Sequence, residues 1–280
     1  MTTRLHAWLF VCLALFAAGI ASAAESGPRP ERLLFGSVAM DIPAIMHRRL
    51  LPLTRHLGAR LGMPVTLRLS PDMDAAIQAL ASGQVDLAYL TPVAYVRAHE
   101  QGGAQLLVKT RTEGRDRLRL MIVVRQDSPW QRVGELAGQR FAFGDRAALL
   151  QRIMLEGAGL KLEHLADYRF LGHNDNVARA VLNGDFDAGI LKDTLALQWQ
   201  GRGLRILYTS PELPPYNIAV RAGLDPELVE KLRTAFLALD PDVPQHRAVI
   251  EALDPRYDGF APARDEEYDL VRKLIAPFTD

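Results

Sequence analysis

The segment AIQALASGQVDLAYLTPVA, residues 76–94, combines a helix, a glycine turn, a strand and the start of a second helix. Its first six residues are mostly apolar with helical spacing, and Gly83 is a typical residue for ending a helix. VDLAYL is a short apolar run, as expected for a strand that is buried on both faces. Strands that alternate with helices at this spacing predict an α/β fold, a parallel sheet covered on both faces by helices.

The same alternation extends in both directions from this segment. Upstream, ERLLFGSVA and PVTLRLS are predicted strands, separated by a helical pattern that Pro52 interrupts and Gly62 ends. Asp72 is placed to cap the helix of the quoted segment. Downstream, the strand AQLLVKT and the polar RTEGRDR lead into the long strand LRLMIVVRQDS. The alternation restarts with RFAFG, YRFLG, FDAGIL and RILYTS, and the residues beyond PELPPYNIAVRAG are predicted to be mostly helical.

A second segment, ARAVLNGDFDAGILKDTLA at residues 178–196, repeats the pattern of the first. Three positions match at a spacing of 101 residues: Gly83 with Gly184, Asp86 with Asp187, and Leu90 with Leu191. The repeat favours two similar α/β lobes, although helix–glycine–strand units of unrelated α/β proteins also look alike. We interpret Asp86 and Asp187 as structural turn residues. Loops after the repeated strands would lie at the carboxyl ends of the sheets, which predicts a ligand cleft between the lobes.

The first 23 residues differ in composition from the rest of the chain. One Arg and no acidic residue precede an apolar run, which ends in small residues at Ala23. This layout predicts a secretory signal peptide, residues 1–23, cleaved after Ala23 or Ala24; an uncleaved membrane anchor is the alternative. The chain has 33 basic and 33 acidic residues, so cleavage would leave a net charge near −1. Such a balance argues against a nucleic-acid partner and against an electrostatically bound membrane surface.

The sequence contains few of the patterns that carry catalysis. Cys12 is the one cysteine and lies in the predicted signal, which excludes disulfides, cysteine–metal sites and cysteine nucleophiles from the mature chain. Walker A, G-x-G-x-x-G, H-E-x-x-H and G-x-S-x-G motifs are absent from the sequence, and the seven histidines are scattered. We therefore predict a protein that is not an enzyme and has no cofactor and no metal site, although a triad assembled from distant segments stays open. An exported chain without cysteine is typical of a bacterial periplasm.

Polar residues that follow strands, at or near the starts of helices, are the candidate ligand-binding residues. They are Met40, Asp41, Thr91, Tyr95, Asp145, Arg146, His173, Asn174, Asp175, Lys192 and Asp193. Asp, Asn and Thr are favoured as helix caps whatever the function, and we interpret Asp145 and Asp193 as caps first. Lys192 and Arg146 need another explanation, because a cation near a helix N-terminus opposes the helix dipole. The two cations predict an anionic ligand in the cleft.

Four segments together resemble one protein family: SGQVDLAYLTPVAYVRA, IVVRQDSPWQRVGELAGQRFAFGD, NDNVARAVLNGDFDAG and YTSPELPPYNIAVRAGLDPEL. Over nearly the whole mature chain, the sequence resembles the periplasmic substrate-binding proteins of phosphate, phosphite and phosphonate ABC transporters. The resemblance implies the type II periplasmic-binding-protein fold, with two discontinuous α/β lobes, a hinge and a central ligand cleft. It implies lobe 1 at residues 30–112 plus 216–280, lobe 2 at residues 113–215, and hinge segments near 112–117 and 208–217.

The resemblance also implies ligand contacts from Tyr95, from the Met40–Asp41 loop and from Asp193. The chain departs from the family after FAFGD, where the family usually has a Ser-Thr-Ser-Gly run that holds phosphoryl oxygens. The positions here are Ala148, Leu149, Leu150 and Gln151. Losing two or three charge-assisted hydrogen bonds of about 1.5–3 kcal/mol each would lower phosphonate affinity by orders of magnitude. We expect Arg146 or Lys192 to supply an anion contact instead.

These observations predict a periplasmic solute-binding protein, acting as a monomer, that delivers a small anionic ligand to a membrane ABC permease. The ligand would be a phosphonate, a phosphite, another oxyanion or a small organic acid, and its contacts with both lobes would favour closure. The same fold could instead report ligand binding to a membrane sensor kinase, and nothing in the chain separates these outputs. An enzyme on the same two-lobed scaffold is the third alternative.

Overall fold

The computed structural model describes residues 31–37, 43–144 and 149–278. The strands in these ranges are β1 (Leu33–Ser37), β2 (Val65–Leu69), β3 (Leu87–Leu90), β4 (Gln105–Thr112), β5 (Leu120–Arg125), β6 (Arg140–Phe143), β7 (Asp167–Phe170), β8 (Ala188–Lys192), β9 (Leu204–Thr209), β10 (Asn217–Val220) and β11 (Tyr257–Pro262). The helices are α1 (Pro43–Leu61), α2 (Met73–Ala81), α3 (Pro92–Gly102), α4 (Leu149–Gly157), α5 (Asn174–Asn183), α6 (Asp193–Trp199), α7 (Pro226–Leu237), α8 (Pro244–Leu253) and α9 (Asp269–Ile275). None of the helices in the described ranges has the length and apolar character that crossing a membrane requires.

The strands form two sheets of mixed direction. Sheet one has the order β11-β4-β10-β3-β1-β2, and sheet two has the order β7-β6-β8-β5-β9. As predicted, β1 is parallel to β2 and β3, and β6 is parallel to β7 and β8. The prediction of a parallel sheet is wrong for β10 and β5, which lie antiparallel between their neighbours. Leu120, the first residue of β5, pairs with Lys192, the last residue of β8. The chain therefore enters β5 beside the carboxyl end of β8 and runs in the opposite direction.

Two further differences from the sequence prediction lie outside the repeated segments. The sequence predicts mostly helical structure after residue 223, but this part of the chain also includes β11, which pairs antiparallel with β4 at the edge of sheet one. A strand of six residues whose partners lie 145 to 154 positions away leaves little local pattern. Helix α1 continues through Pro52, because the buried face formed by Met46, Leu50, Leu53 and Leu57 holds it against the core.

The repeated aspartates do the same structural task in the two sheets. Asp86, before β3, accepts hydrogen bonds from the N–H of Leu34 at 2.8 Å and from Nε of Arg221 at 2.9 Å. Asp187, before β8, accepts from the N–H of Arg140 at 2.9 Å and from its Nε at 3.0 Å. Each carboxylate therefore fixes the start of the neighbouring parallel strand and pairs with one arginine, consistent with the interpretation of both aspartates as structural residues.

The buried core continues from sheet one to sheet two. One cluster of buried side chains joins α2 and α3 with β5, β6, α4 and α9. Helix α9 contacts both α3 and α4, and its Val271 and Ile275 are fully or almost fully buried. The C-terminal helix thus connects elements of the two sheets.

Two crossover segments, residues 113–119 and 210–216, carry the chain between the sheets and are hydrogen-bonded to each other. The N–H of Leu118 donates to the carbonyl of Leu213 at 3.0 Å, and the N–H of Leu213 donates back at 2.8 Å. The guanidinium of Arg119 donates to the Ser210 carbonyl and the Glu212 carboxylate, both at 3.1 Å. The limits of the two lobes given above stay a prediction.

A buried ion cluster attaches the first crossover to sheet one. Nζ of Lys109, a residue only 1% exposed, lies 2.8 Å from carboxylate oxygens of Asp116 and Glu267. The guanidinium of Arg117 lies 3.0 Å from the same Glu267 oxygen. Burial alone would raise the pKa of Glu267, but the hydrogen bond from Lys109 and the other contacts outweigh it and hold this pKa below 4.5.

We expect Lys109→Met to lower the free energy of unfolding by about 1.5–3 kcal/mol, because the mostly buried Glu267 carboxylate loses one of its two cations and retains only Arg117. The difference in unfolding free energy between the two proteins should become smaller as the pH falls below the ordinary glutamate pKa of 4.5. Protonated Glu267 carries no charge for the Lys109 ammonium to compensate. Urea denaturation at neutral and acidic pH measures both effects. Lys231→Met, which removes an exposed partner of Glu227, is the matched control and should change stability by less than about 1 kcal/mol. Equal effects of the two variants would contradict a buried cluster.

Candidate ligand-binding site

A cavity of about 480 Å³ lies between the two sheets, and we call it the intersheet cavity. Its described lining residues are Met46, Arg49, Tyr89, Leu253, Asp254, Pro255, Arg256 and Tyr257 from elements of sheet one, Gln151, Gly172, His173, Asn174, Asp175, Lys192 and Gln198 from elements of sheet two, and Tyr216 from the second crossover. This volume lies in the range of about 300–1,000 Å³ that is typical of small-molecule sites. A ligand in the cavity would contact both sheets.

Lys192 projects into this cavity from the end of β8. It precedes α6 at the N-cap position, and its Nζ lies 4.6 Å from the centroid of the Tyr216 ring. No carboxylate of the described residues forms an ion pair with it. Burial lowers the pKa of Lys192 below the ordinary value of 10.5, Arg256 acts in the same direction, and Asp254 and Asp193 oppose it. The ammonium group is therefore a poorly hydrated cation whose described contact is an aromatic face.

Three tyrosines form a connected wall on the side of sheet one. The rings of Tyr216 and Tyr89 are stacked with centroids 5.5 Å apart, and the hydroxyls of Tyr89 and Tyr257 are 2.8 Å apart. Burial raises the pKa of Tyr257 to about 12 and raises that of Tyr89 well above the usual value. Both phenols are therefore neutral at physiological pH, and they suit hydrogen bonding and apolar contact rather than general-base chemistry.

The fixed charges around the cavity leave a positive balance. Three permanent cations, Arg49, Lys192 and Arg256, face two carboxylates, Asp175 and Asp254. Nε of Arg256 lies 3.3 Å from Asp254, so this pair is largely self-compensated. Asp175 lies in the first turn of α5, on the solvent-exposed side. Among the described lining residues, Lys192 is thus a cation without a carboxylate ion-pair partner, and its charge favours an anion.

At the end of β6, a glutamine side chain folds back on the strand. The N–H of Gly144 donates to Oε1 of Gln151 at 3.0 Å, and Gln151 is buried. A Cβ at position 144 would lie 3.2 Å from Nε2 of Gln151 and 3.5 Å from Oδ1 of Asn174, so glycine leaves room for both amides. Oδ1 of Asn174 is buried and has no hydrogen-bond partner among the described residues. This oxygen is therefore a hydrogen-bond acceptor without a described donor at this edge of the cavity.

The predicted site residues divide into three groups in the structure. His173, Asn174, Asp175 and Lys192 line the intersheet cavity together. Thr91, Tyr95 and Asp193 do not line it: Thr91 caps α3 by accepting from the N–H of Ala94 at 3.1 Å, and Asp193 is 3% exposed and accepts from Arg115 at 3.1 Å. Met40, Asp41, Asp145 and Arg146 lie outside the described residues. The roles of the cavity-lining residues in binding stay predictions.

Tyr95 shows how a helix position alone can mislead. The side chain is fully buried, and its hydroxyl donates to Asp265, which also pairs with Arg272. Its ring packs against Tyr268 with centroids 5.0 Å apart. Because Tyr95 lies one turn inside α3, it points toward α9 and the core, whereas the first residues of that helix face the crossovers.

Other cavity residues were not among the predicted ones, namely Arg49, Gln151, Gln198, Tyr89, Tyr216, Asp254, Arg256 and Tyr257. Tyr216 had a usable signal, since it follows Pro214–Pro215 at the return from sheet two to sheet one. Arg256 reaches the cavity from the loop between α8 and β11, and its placement depends on the strand that the sequence did not reveal.

We expect Tyr95→Phe to lower the free energy of unfolding by about 1–3 kcal/mol, the range for losing a hydrogen bond to a charged group. It should leave ligand affinity unchanged, because the hydroxyl contacts Asp265 and not the cavity. Urea denaturation and calorimetric titration measure the two quantities on the same sample. A loss of affinity with unchanged stability would instead place Tyr95 in the ligand site.

We expect Lys192→Met to stabilise the ligand-free protein at neutral pH, because it removes a cation that burial disfavours. In the wild type, the unfolded chain holds this proton more tightly than the folded protein does, since the folded pKa is lowered. The stability of the wild type relative to Lys192→Met should therefore rise as the pH increases from the lowered pKa toward 10.5. Denaturation curves of both proteins at neutral and alkaline pH measure the difference; a wild type that is more stable than the variant at neutral pH would refute this account.

Comparisons with solved structures identify the fold. PhnD1 from Prochlorococcus marinus (MIT 9301), in complex with methylphosphonate, matches with a TM-score of 0.72 and 18% identity over 89% of this chain and 99% of that one. XAC2383 from Xanthomonas citri, bound to ATP, matches with a TM-score of 0.72 and 22% identity over 88% of this chain and 96% of that one. The protein thus has the two-lobed type II periplasmic-binding-protein fold that the sequence predicts.

Sequence comparisons lead to the same group of proteins. The phosphate-import protein PhnD of Mycolicibacterium smegmatis is 23% identical over 274 residues, which cover 88% of this chain and 85% of the relative. The phosphonates-binding periplasmic protein of Escherichia coli K12 is 22% identical over 260 residues, 87% of this chain and 75% of the relative. Residues 35–268 match the family model described as ABC transporter, phosphonate, periplasmic substrate-binding protein. The chain therefore belongs to the family of periplasmic substrate-binding proteins of phosphonate ABC transporters.

Proposed function

We propose that the protein binds a small anion in the intersheet cavity, with Lys192 as the principal charged contact, and delivers it to a membrane ABC permease. The observation that carries this proposal is an ammonium group in a cavity between two sheets, without an ion-pair partner among the described residues. An anion beside Nζ would supply the missing charge. Family membership supports transport rather than catalysis as the output.

The arrangement of the lining explains how binding would drive closure. Lys192 and Asn174 belong to sheet two, while Arg256 and Tyr257 belong to the sheet-one side of the same cavity. A ligand that contacts both groups binds more tightly when the sheets are close together, so it shifts the population toward the closed state. A permease that recognises the closed protein would then respond to the ligand-bound form.

The relatives support an oxyanion as the chemical class of ligand. PhnD1 of Prochlorococcus marinus was solved with methylphosphonate, and the Mycolicibacterium smegmatis relative is a phosphate-import protein. Where the family usually has hydroxyl side chains or glycine, this chain has Leu149, Leu150 and Gln151. The side chain of Gln151 accepts the hydrogen bond that the Gly144 N–H donates. We therefore place the anion nearer Lys192 than the start of α4, with phosphonate, phosphite, other oxyanions and small organic acids as the candidates.

The same proposal covers the setting of the protein. It includes export to the periplasm through the predicted signal peptide, residues 1–23, and action as a monomer. The exposed large apolar side chains among the described residues support the monomer, because they lie on separate elements: Tyr168, Leu197, Leu237 and Phe278. Output to a sensor kinase would leave the cavity unchanged, and ligand uptake by cells with and without the gene separates the two outputs.

The ligand can be identified by a thermal-shift screen of the protein against phosphate, phosphite, methylphosphonate, sulfate and small carboxylates. A ligand at a hundredfold excess over its dissociation constant adds about 2.7 kcal/mol to stability, which such a screen detects. Recovery of the bound compound unchanged after incubation supports a binding protein, whereas its conversion would favour the enzyme alternative.

For the anion found in this way, we expect Lys192→Met to weaken binding by about 10- to 150-fold, equivalent to a charge-assisted hydrogen bond of about 1.5–3 kcal/mol. Lys192→Arg keeps the positive charge and should retain more of the affinity. Lys231→Met removes an equal charge from the exposed face of α7 and should have no effect. Isothermal titration calorimetry measures all four proteins; unchanged affinity of Lys192→Met would sink the proposed role.

A further inference from the structure

We infer that the ligand is an organic anion whose apolar substituent enters a second, smaller pocket beside Lys192. This inference rests on the proposed function and specifies its substrate class: a small anionic head group that carries a short aliphatic chain, rather than an inorganic oxyanion. It follows from the composition, the size and the position of that pocket.

The apolar pocket has a volume of about 80 Å³ and is separate from the intersheet cavity. Eight of its described lining residues are aliphatic or proline side chains, among them Pro92, Val93, Leu118, Leu149, Leu150 and Leu213. The polar groups at its wall are few, namely Thr91, Gln151, Lys192 and the Tyr216 hydroxyl. Such a lining offers an oxyanion few donors, and it favours the transfer of hydrocarbon out of water.

Three residues connect the two spaces. Gln151, Lys192 and Tyr216 line both the apolar pocket and the intersheet cavity. The ammonium group and the Tyr216 ring, 4.6 Å apart, therefore stand at the junction. An anion held by Lys192 would have the polar cavity on one side and the apolar pocket on the other. A substituent on that anion can reach the pocket without moving the charge away from Nζ.

Two of the pocket residues occupy positions that distinguish this chain from the pattern described above. Leu149 and Leu150 form the first turn of α4, and both are partly buried against the core. Leucine at these two positions places apolar side chains in the wall of the pocket, where the family usually has hydroxyl groups. Compared with the usual residues of the family, the two leucines thus provide fewer oxyanion donors and more apolar surface at the same point. This is the difference expected for a ligand with a hydrocarbon group.

The position of the pocket couples the substituent to closure. Pro92 and Val93 belong to the first turn of α3, beside sheet one, and Leu149 and Leu150 belong to α4, beside sheet two. Leu118 and Leu213 are the residues at which the crossovers pair. A hydrocarbon chain in the pocket would touch both sides and the crossovers at once, so its burial would favour the closed arrangement.

The experiment is a calorimetric titration of the wild-type protein with linear alkylphosphonates from methyl to hexyl, and with the linear carboxylates of the same chain lengths. Each methylene that enters the pocket should raise the affinity about fourfold, equivalent to about 0.8 kcal/mol. The rise should stop once the substituent fills the pocket, because longer chains have to extend beyond its apolar lining. Phosphate and phosphite should bind more weakly than the propyl and butyl compounds.

A double variant, Leu149→Ala with Leu150→Ala, tests the pocket directly. It should flatten the dependence on chain length, because it removes the side chains that contact the substituent without adding hydroxyl groups that could bind the head group. Leu162→Ala with Leu165→Ala is the matched control, since both leucines are partly buried against the same core but do not line the pocket. Circular dichroism of each protein confirms folding, and the wild-type series tests the inference even if a variant does not fold.

The outcomes separate this inference from the proposed function. If affinity does not rise with chain length while Lys192→Met still abolishes the binding of phosphate or methylphosphonate, the proposed function stands and the organic substituent is refuted. If no phosphonate or carboxylate of any length binds, both fail. A rise with chain length that the Leu149/Leu150 variant does not alter would place the substituent elsewhere and overturn the assignment of this pocket.

Discussion

The pairing of the two crossover segments is the constraint on which the site depends. Reciprocal hydrogen bonds between Leu118 and Leu213 hold the crossovers side by side, so the two sheets are joined along one line. Residue 216 ends the second crossover, and Leu120 of β5 pairs with Lys192 at the end of β8. The same pairing therefore brings the Lys192 ammonium over the Tyr216 ring and opens the intersheet cavity beside it.

Within this geometry, the affinity for an anion comes from an unfavourable feature of the empty protein. A lysine that burial shifts toward its neutral form, with no ion-pair partner among the described residues, lowers the stability of the fold. The neighbouring pair Arg256–Asp254 shows the alternative, in which a carboxylate within 3.3 Å compensates the cation permanently. Because Lys192 lacks such a carboxylate, a ligand can provide one, and the stabilisation that results is available to drive closure.

The sequence predicts most of the fold and part of the site, and the division has a physical cause. The structural role of Asp86 and Asp187 could be predicted because both act on neighbouring strands within a repeated unit. Lys192 could be singled out because a cation at the start of a helix opposes the helix dipole. Tyr95 misled because one turn of a helix separates a residue that faces a cleft from one that faces the core. The cavity residues from β11 and its preceding loop depend on strand pairing across 145 to 154 positions, which leaves little local pattern.

The start of α4 shows that one scaffold can keep its shape while the chemistry of its site changes. The N–H of Gly144 would be an oxyanion donor if it were free, but Gln151 satisfies it within the protein. Leu149 and Leu150, which precede Gln151, make the first turn of α4 apolar. The positive charge needed for an anion then has to come from elsewhere, and Lys192 supplies it from the facing end of β8. In the proposed site, recognition of charge and recognition of the substituent thus lie on adjacent walls, and a ligand that satisfies both is expected to bind most tightly.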